Sequence, residues 1–191
     1  MPDTSLMTSP WTHHFLIAMP HLGDPNFFRT VTYLCEHTRE GAMGIVINRP
    51  SELSMSDVFQ QMGISAETRD FDDVRVHIGG PVQANRGFVL HEPLGNWEST
   101  MAVTDCIGVS TSRDILDAIA RNQGPERWLM ALGYAGWGAG QLEREMAENA
   151  WLSGPAADSV LFETPMETRW HAAAHLLGID LMLLSEEAGH A

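Results

Sequence analysis

Lysine is absent from this chain of 191 residues, so its eleven basic side chains are all arginines, set against 25 carboxylates. The formal net charge is −14 at neutral pH. Proteins that bind nucleic acid draw most of their affinity from basic groups that displace counterions from phosphate. A surface of the opposite sign repels the phosphate backbone and acidic lipid headgroups alike. The arginines of the first half are spread singly along the sequence, so we expect no direct binding to nucleic acid or to a membrane.

Cysteine and long apolar runs are also scarce. The two cysteines, Cys35 and Cys106, lie far apart without paired-site spacing, which is typical of a protein from a reducing compartment. The longest apolar stretch, residues 176–184, is interrupted by Asp180 and is too short to span a bilayer. The first fifteen residues contain neither the basic region nor the apolar core of a signal peptide. We therefore expect a cytoplasmic protein.

The composition is that of a globular chain, with 44% hydrophobic and 19% charged residues. A chain of this length fits one domain and can bury a core without a metal or a disulfide. We expect a single domain over residues 1–191, with a loosely ordered N-terminal segment at residues 1–12.

Hydrophobic patterning predicts strand pairs joined by tight turns, with helices placed irregularly between them. An apolar run at residues 15–19 is typical of a buried strand, and alternation at 30–37 and 42–48 predicts a hairpin. Helices are predicted at residues 54–62, 113–121, 141–149 and 164–178, the first, second and last capped by Ser54, Ser112 and Thr164. Because a regular strand–helix alternation is missing, we predict an α+β fold. Its curled, antiparallel-rich sheet would be flanked by three or four helices.

A glycine-rich segment at residues 133–140 is predicted to be a loop between a strand and a helix. Such a loop can cradle a phosphate at the start of a helix. The glycine spacing, however, matches neither the dinucleotide fingerprint nor the P-loop. Glu143 and Glu145 would also repel a phosphate from the first turns of that helix. A plain tight turn is therefore favoured.

Two residue pairs could carry metal or nucleophile chemistry. His171 and His175 are four residues apart on one helical face, but residue 172 is not the glutamate of a metalloprotease and no third ligand is identifiable. Cys35 and His37 share a strand face, where their Cα atoms would be about 6.6 Å apart, too far for ready proton transfer. We predict no metal site and no cofactor, and the residues do not favour an enzyme.

One polar cluster falls at strand ends and turns, where functional sites commonly lie on a rigid scaffold. If the hairpin folds back over the first loop, these residues would converge into a ligand-binding site. Turn formation and capping are the simpler explanation of the same residues. The candidates are Asp24, Asn26, His37, Asn48 and Arg49.

An ordered set of short motifs, at matching spacing from about residue 13 to the C-terminus, resembles the AlgH/YqgE family of bacterial proteins. The resemblance implies a bifurcated, curled sheet that forms a pseudo-barrel flanked by helices. It implies no agreed biochemical activity and no catalytic residues. One branch is labelled a transcriptional regulator, although this chain shows neither a helix-turn-helix nor a basic face. The motifs are HHFLIAMP at 13–20, DPNF at 24–27, LCEH at 34–37, GAMG at 41–44, NRP at 48–50, GGPV at 79–82, RGF at 86–88, TSRD at 111–114, LGYA at 132–135, GQLE at 140–143 and NAWL at 149–152.

Three function classes remain open. The first is a regulatory or interaction module that acts through protein partners, with Trp137 and Trp151 as the contact surface, since aromatic residues are enriched at interfaces. The second is a small-ligand-binding protein or enzyme that uses the polar cluster described above. The third, a transcriptional regulator that contacts DNA directly, is disfavoured by the net charge.

Overall fold

The computed structural model describes residues 11–67 and 69–188. Most of the predicted loose segment, residues 1–10, lies outside this range. Trp11 and Thr12 form part of a turn that leads directly into the first strand. Within the described residues, no helix is long and apolar enough to cross a membrane.

The described residues form ten strands, and nearly all of their pairings are antiparallel. Eight strands follow one another across the sheet in the order β10-β1-β2-β3-β9-β6-β8-β7. Outside this order, β5 pairs with β9, and β4 pairs with β5. The strands are β1 (His14–Ala18), β2 (Val31–Thr38), β3 (Gly41–Val46), β4 (Pro50–Ser54), β5 (Arg75–Ile78), β6 (Val82–Glu92), β7 (Thr100–Ala102), β8 (Gly108–Ser110), β9 (Arg127–Gly138) and β10 (Trp151–Pro155). The sheet curls into a half-barrel, which confirms the predicted fold class.

Strand β9 organises this sheet because its two halves pair with different neighbours. Its first half pairs with β6 over residues 127–132, and its second half pairs with β3 over 135–138. Strand β5 runs parallel to β9 beside Ala131 and Leu132. The change of neighbour occurs near Gly133, which has φ +74° and would place an added Cβ 2.3 Å from the carbonyl oxygen of Gly80. The prediction of a loop at 133–140 was therefore wrong, since β9 continues to Gly138 and Gly133 lets two backbones approach closely within the strand.

Five α-helices are present in the described residues, where the sequence indicates three or four. They are α1 (Met55–Gln61), α2 (Arg113–Ala120), α3 (Gln141–Ala147), α4 (Arg169–Leu176) and α5 (Leu181–Ala188). Ser54 forms the predicted capping box with Asp57. Ser112 makes no capping hydrogen bond and instead donates to Asp114.

The final long helix begins later than predicted. Residues 159–163 form a π-helical turn and 166–168 a 3₁₀ turn, and α4 starts only at Arg169. The reason is local, because Thr164 and Pro165 both have extended ψ angles of 133° and 141°. The hydroxyl group of Thr164 donates to the carbonyl of Ser159 and so closes the preceding turn.

Three apolar clusters stabilise the fold. The largest packs α4 and α5 against β1, β2, β3 and β6 through residues such as Phe15, Ile45 and Trp170. A second joins α1 and α2 to β5, β6 and β9. The third, smaller cluster lies beneath α3 and contains both Trp137 and Trp151.

Candidate functional site

Four of the five residues predicted to form a ligand site do lie together. The guanidinium group of Arg49 donates to the carbonyls of Pro25 and Asn26, and Asp24 Oδ1 accepts from the Asn26 N–H at 2.9 Å. Asn48 accepts from the Val31 N–H at 2.8 Å and donates to a carbonyl of the same loop at 2.9 Å. These groups fasten the loop that follows β1 to the end of β3. Each of these hydrogen bonds joins a side chain to a backbone group, so the cluster anchors the loop.

His37 does not join this cluster. In the antiparallel β2–β3 hairpin, Thr32 pairs with Val46 at one end and His37 pairs with Ala42 near the other. Asn48 follows β3 and therefore lies at the far end of the hairpin from His37. The imidazole of His37 instead contacts the carboxylate of Glu143 at 2.5 Å.

The predicted partner surface is also not exposed. Trp137 is 6% and Trp151 4% exposed, and their ring centroids are 6.0 Å apart. The indole N–H of Trp137 donates to Glu145 at 2.7 Å. The prediction of a contact surface at these two residues was wrong, because the aromatic side chains fill the cluster beneath α3.

The other candidate chemistries find no assembled site. His171 and His175 are exposed on α4, and no group of three or more metal-ligating side chains occurs within residues 11–67 and 69–188. Cys35 is 2% exposed, and burial raises the pKa of its thiol well above the usual range. A buried neutral thiol is a poor nucleophile.

A buried arginine that no sequence motif indicated forms a second polar centre in the described part of the chain. Arg169, at the start of α4, is 7% exposed. Its Nε donates to the carbonyl of Thr164 at 3.0 Å, and its Nη1 donates to the carbonyl of Ile47. The same Nη1 donates to Nε2 of the buried His77 at 2.9 Å, and His77 Nδ1 donates to the carbonyl of Met130 at 3.1 Å. This centre connects α4, β5 and β9.

The protonation state of His77 follows from its partners. A guanidinium group only donates and a carbonyl only accepts, so Nε2 carries the lone pair and Nδ1 carries the proton. Burial first, and then the charge of Arg169, lower the pKa of His77 to about 4. Burial also lowers the pKa of Arg169 to about 10. At neutral pH the pair is therefore a neutral imidazole that accepts from a charged guanidinium.

A cavity of about 280 Å³ borders this centre, and we call it the arginine pocket. Four of the eleven arginines line it, together with His77 and a single carboxylate, Glu126. The lining arginines are Arg69, Arg75, Arg127 and Arg169. The sequence showed arginines spread singly, but folding collects these four around one space.

The four arginines differ in how far their charge is already balanced. Arg127 lies 2.8 Å from Glu92, 3.4 Å from Glu163 and 3.6 Å from Asp158. Arg69, Arg75 and Arg169 have no carboxylate within 4.0 Å in the described part of the chain. Arg75 donates to a backbone carbonyl at 3.0 Å, and the guanidinium of Arg69 lies 4.5 Å from the ring centroid of Phe71. These three arginines therefore make no close ion pair, and Glu167 and Asp57 act on Arg169 and Arg75 only over longer distances.

Comparison with known proteins decides the family. A model of the AlgH-like family matches residues 15–182. The chain belongs to the AlgH-like family. A UPF0301 protein from Thioalkalivibrio sulfidiphilus is 56% identical over 184 residues, covering 96% of this chain and 98% of its own length. A UPF0301 protein from Nitrosococcus oceani is 55% identical, covering 94% of this chain and 96% of its own. The predicted resemblance is confirmed.

Two solved structures agree with this AlgH-like fold. The solution structure of the AlgH protein from Pseudomonas aeruginosa has a TM-score of 0.79 and 49% identity, with full coverage of both chains. The crystal structure of a Corynebacterium diphtheriae protein has a TM-score of 0.73 and covers 93% of this chain and 92% of its own. At 19% identity, the second shows likeness of fold alone. The names of these relatives specify no reaction or ligand, in agreement with the predicted lack of an assigned activity.

Proposed function

We propose that this AlgH-like protein binds a small oxyanion, a phosphate or carboxylate group, in the arginine pocket. One observation carries the proposal. The Nη2 amino group of Arg169 makes no hydrogen bond with the described residues and is not among the fully buried unpaired atoms, so it keeps access to the cavity that the residue borders, although Arg169 as a whole is only 7% exposed. A buried charge is costly unless it is paired and hydrogen-bonded. An oxyanion in the pocket would supply both the charge and the acceptor.

The surroundings of Arg169 favour this ligand class. His77 is neutral and already accepts from Nη1, and the two carbonyls that Arg169 contacts carry only partial charge. Arg69 and Arg75 approach the cavity from the chain before and within β5 and add two further cations. Guanidinium groups match the geometry of phosphate and carboxylate oxygens. A volume of about 280 Å³ suits a small ligand and not a polyanion.

The proposal extends to where the protein works and what it contacts. Both cysteines are free thiols, which suits a reducing cytoplasm and its pool of small phosphorylated and carboxylated molecules. Transcriptional regulation by direct contact with DNA finds no support in the net charge of −14. A regulatory role, as we propose it, would follow from occupancy of the pocket and would act on protein partners.

Calorimetric titration with inorganic phosphate, and separately with succinate, tests the proposal. The informative variant is Arg75→Gln, because Arg75 is exposed and its loss should leave the fold intact. A hydrogen bond to a charged group contributes roughly 1.5–3 kcal/mol, so the variant should bind about tenfold more weakly or worse.

Arg39→Gln is the matched control, since it removes the same charge from the exposed β2–β3 turn. It should bind like the wild type. Equal weakening in Arg39→Gln and Arg75→Gln would mean that the anion responds only to overall charge. Failure of both anions to bind the wild type would also overturn the proposal.

A further inference from the structure

A second cavity, of about 470 Å³, lies between α1 and α2 over strands β6 and β9, and we call it the α1–α2 cleft. Its floor is apolar. Three of the floor residues, Val58, Leu116 and Met130, are 3–7% exposed and belong to the cluster that joins α1 and α2 to the sheet. Three half-buried side chains complete the apolar lining, namely Leu53, Met62 and Leu132.

Met130 and Gly87 give the floor of the cleft its shape. Gly87 has no side chain, and the methyl carbon of Met130 lies 2.4 Å from where its Cβ would be. The thioether of Met130 therefore covers the β6 backbone at this point. Methionine side chains are flexible and polarizable, so Met130 and Met62 can adapt to an apolar ligand of varied shape.

The polar side chains of the cleft stand at its rim, and two of them are arginines. Arg86 donates to Thr111 Oγ1 at 3.3 Å and to Gln83 at 3.1 Å, and it has no carboxylate within 4.0 Å in the described ranges. The Nε of Arg113 lies 3.7 Å from Asp117, but the Arg113 side chain is 53% exposed. An exposed ion pair of this length is weak and leaves the guanidinium available.

We propose that the α1–α2 cleft binds an amphipathic molecule with an anionic head and an unbranched apolar tail. Arg86 and Arg113 at the rim receive the head, and the tail lies along Met62, Leu116 and Met130. A cavity with apolar side chains on its floor and polar groups at its edge can serve as a small-molecule site, and about 470 Å³ is within the usual range of volumes. The two arginines of this site are different from those of the arginine pocket, although Met130 lines both cavities, and the proposal does not depend on the pocket.

Octanoate is the probe for this site, with hexanoate and octyl glucoside as comparison ligands. Each buried CH₂ contributes about 0.8 kcal/mol, which is about fourfold in affinity, so octanoate, with two more CH₂ groups, should bind about fifteenfold more tightly than hexanoate. Octyl glucoside has no charge and a tail one carbon longer, and it should still bind several-fold more weakly than octanoate, because a hydrogen bond to a charged group contributes roughly 1.5–3 kcal/mol and one CH₂ only about 0.8 kcal/mol. In ¹H–¹³C spectra, octanoate should shift the methyl signals of Met62 and Met130.

The double variant Arg86→Gln, Arg113→Gln should lower octanoate affinity about tenfold or more and leave the affinity for octyl glucoside unchanged. Arg121→Gln is the control for a single lost charge, because it removes one exposed arginine at the end of the same helix and should change neither affinity. The proposal is wrong if hexanoate and octanoate bind equally, if the two methionine signals stay in place, or if Arg121→Gln matches the double variant. Arg75→Gln should leave the octanoate-induced shift of the Met62 methyl signal unchanged while it weakens carboxylate binding in the arginine pocket, and this separates the two sites.

Discussion

The buried His77 should make the fold sensitive to mild acid, and the size of the effect can be worked out. In the unfolded chain a histidine has a pKa near 6.5, and in the folded protein burial and Arg169 lower the pKa of His77 to about 4. Between these two pKa values the unfolded state binds a proton at His77 and the folded state does not, so the free energy of unfolding falls as the pH falls. Above pH 6.5 the contribution is constant. A shift of about 2.5 units corresponds to a loss of about 3 kcal/mol by pH 4.

Urea unfolding of the wild type and of His77→Gln, at several pH values between about 7 and about 4, isolates this contribution. The side chain of glutamine has an amide NH₂ group that can donate to the Met130 carbonyl and a carbonyl oxygen that can accept from Arg169, and neither group titrates. Other groups lose stability in both proteins alike, including His91, whose pKa is lowered by burial. The wild type should lose about 3 kcal/mol more than His77→Gln across this range. Parallel loss in the two proteins would refute the assigned protonation state of His77.

Two further predictions concern the glycine at the sheet division and the two thiols. Gly133→Ala should lower the free energy of unfolding by at least about 2 kcal/mol, because φ is +74° and the new Cβ would approach the Gly80 carbonyl. The control is Gly23→Ala, which should change the free energy of unfolding little, because the space where its Cβ would lie is open. Equal urea midpoints for the two variants would contradict the close approach at Gly133. A mild alkylating agent should modify one thiol per folded chain, the exposed Cys106, and reach the buried Cys35 only in denaturant, as mass spectrometry would show. Rapid modification of both thiols in the folded protein would mean that Cys35 is accessible.

The fold could be predicted largely from local pattern. Alternation in residues 30–48 placed the β2–β3 hairpin, and Ser54 with Asp57 placed the start of α1. These signals are local because the residues that form them are close in sequence. The end of strand β9 was predicted too early, because glycine usually signals a turn. Here Gly133 instead permits two backbones to approach closely.

The candidate site could not be predicted in the same way. Arg69 and Arg169 are a hundred residues apart, and they meet only because β5 pairs with β9 and α4 packs over the same region. Nothing in the surrounding sequence of Arg169 signals burial, since charged residues are mostly exposed. The prediction of a contact surface at the tryptophans was wrong because aromatic residues occur both in cores and at interfaces, so their type alone does not decide between the two. Trp137 and Trp151 lie in the core.

Arginine side-chain NMR during a titration with inorganic phosphate tests the arginine pocket most directly. We expect the Nε–H signal of Arg169 and the ring signals of His77 to shift and saturate together with those of Arg69 and Arg75. The signal of Arg39, which lies in the β2–β3 turn and does not line the arginine pocket, should respond only to ionic strength. The oxyanion site would be contradicted if the chemical shift of Arg169 did not change, or if the chemical shifts of all eleven arginines changed equally without reaching saturation.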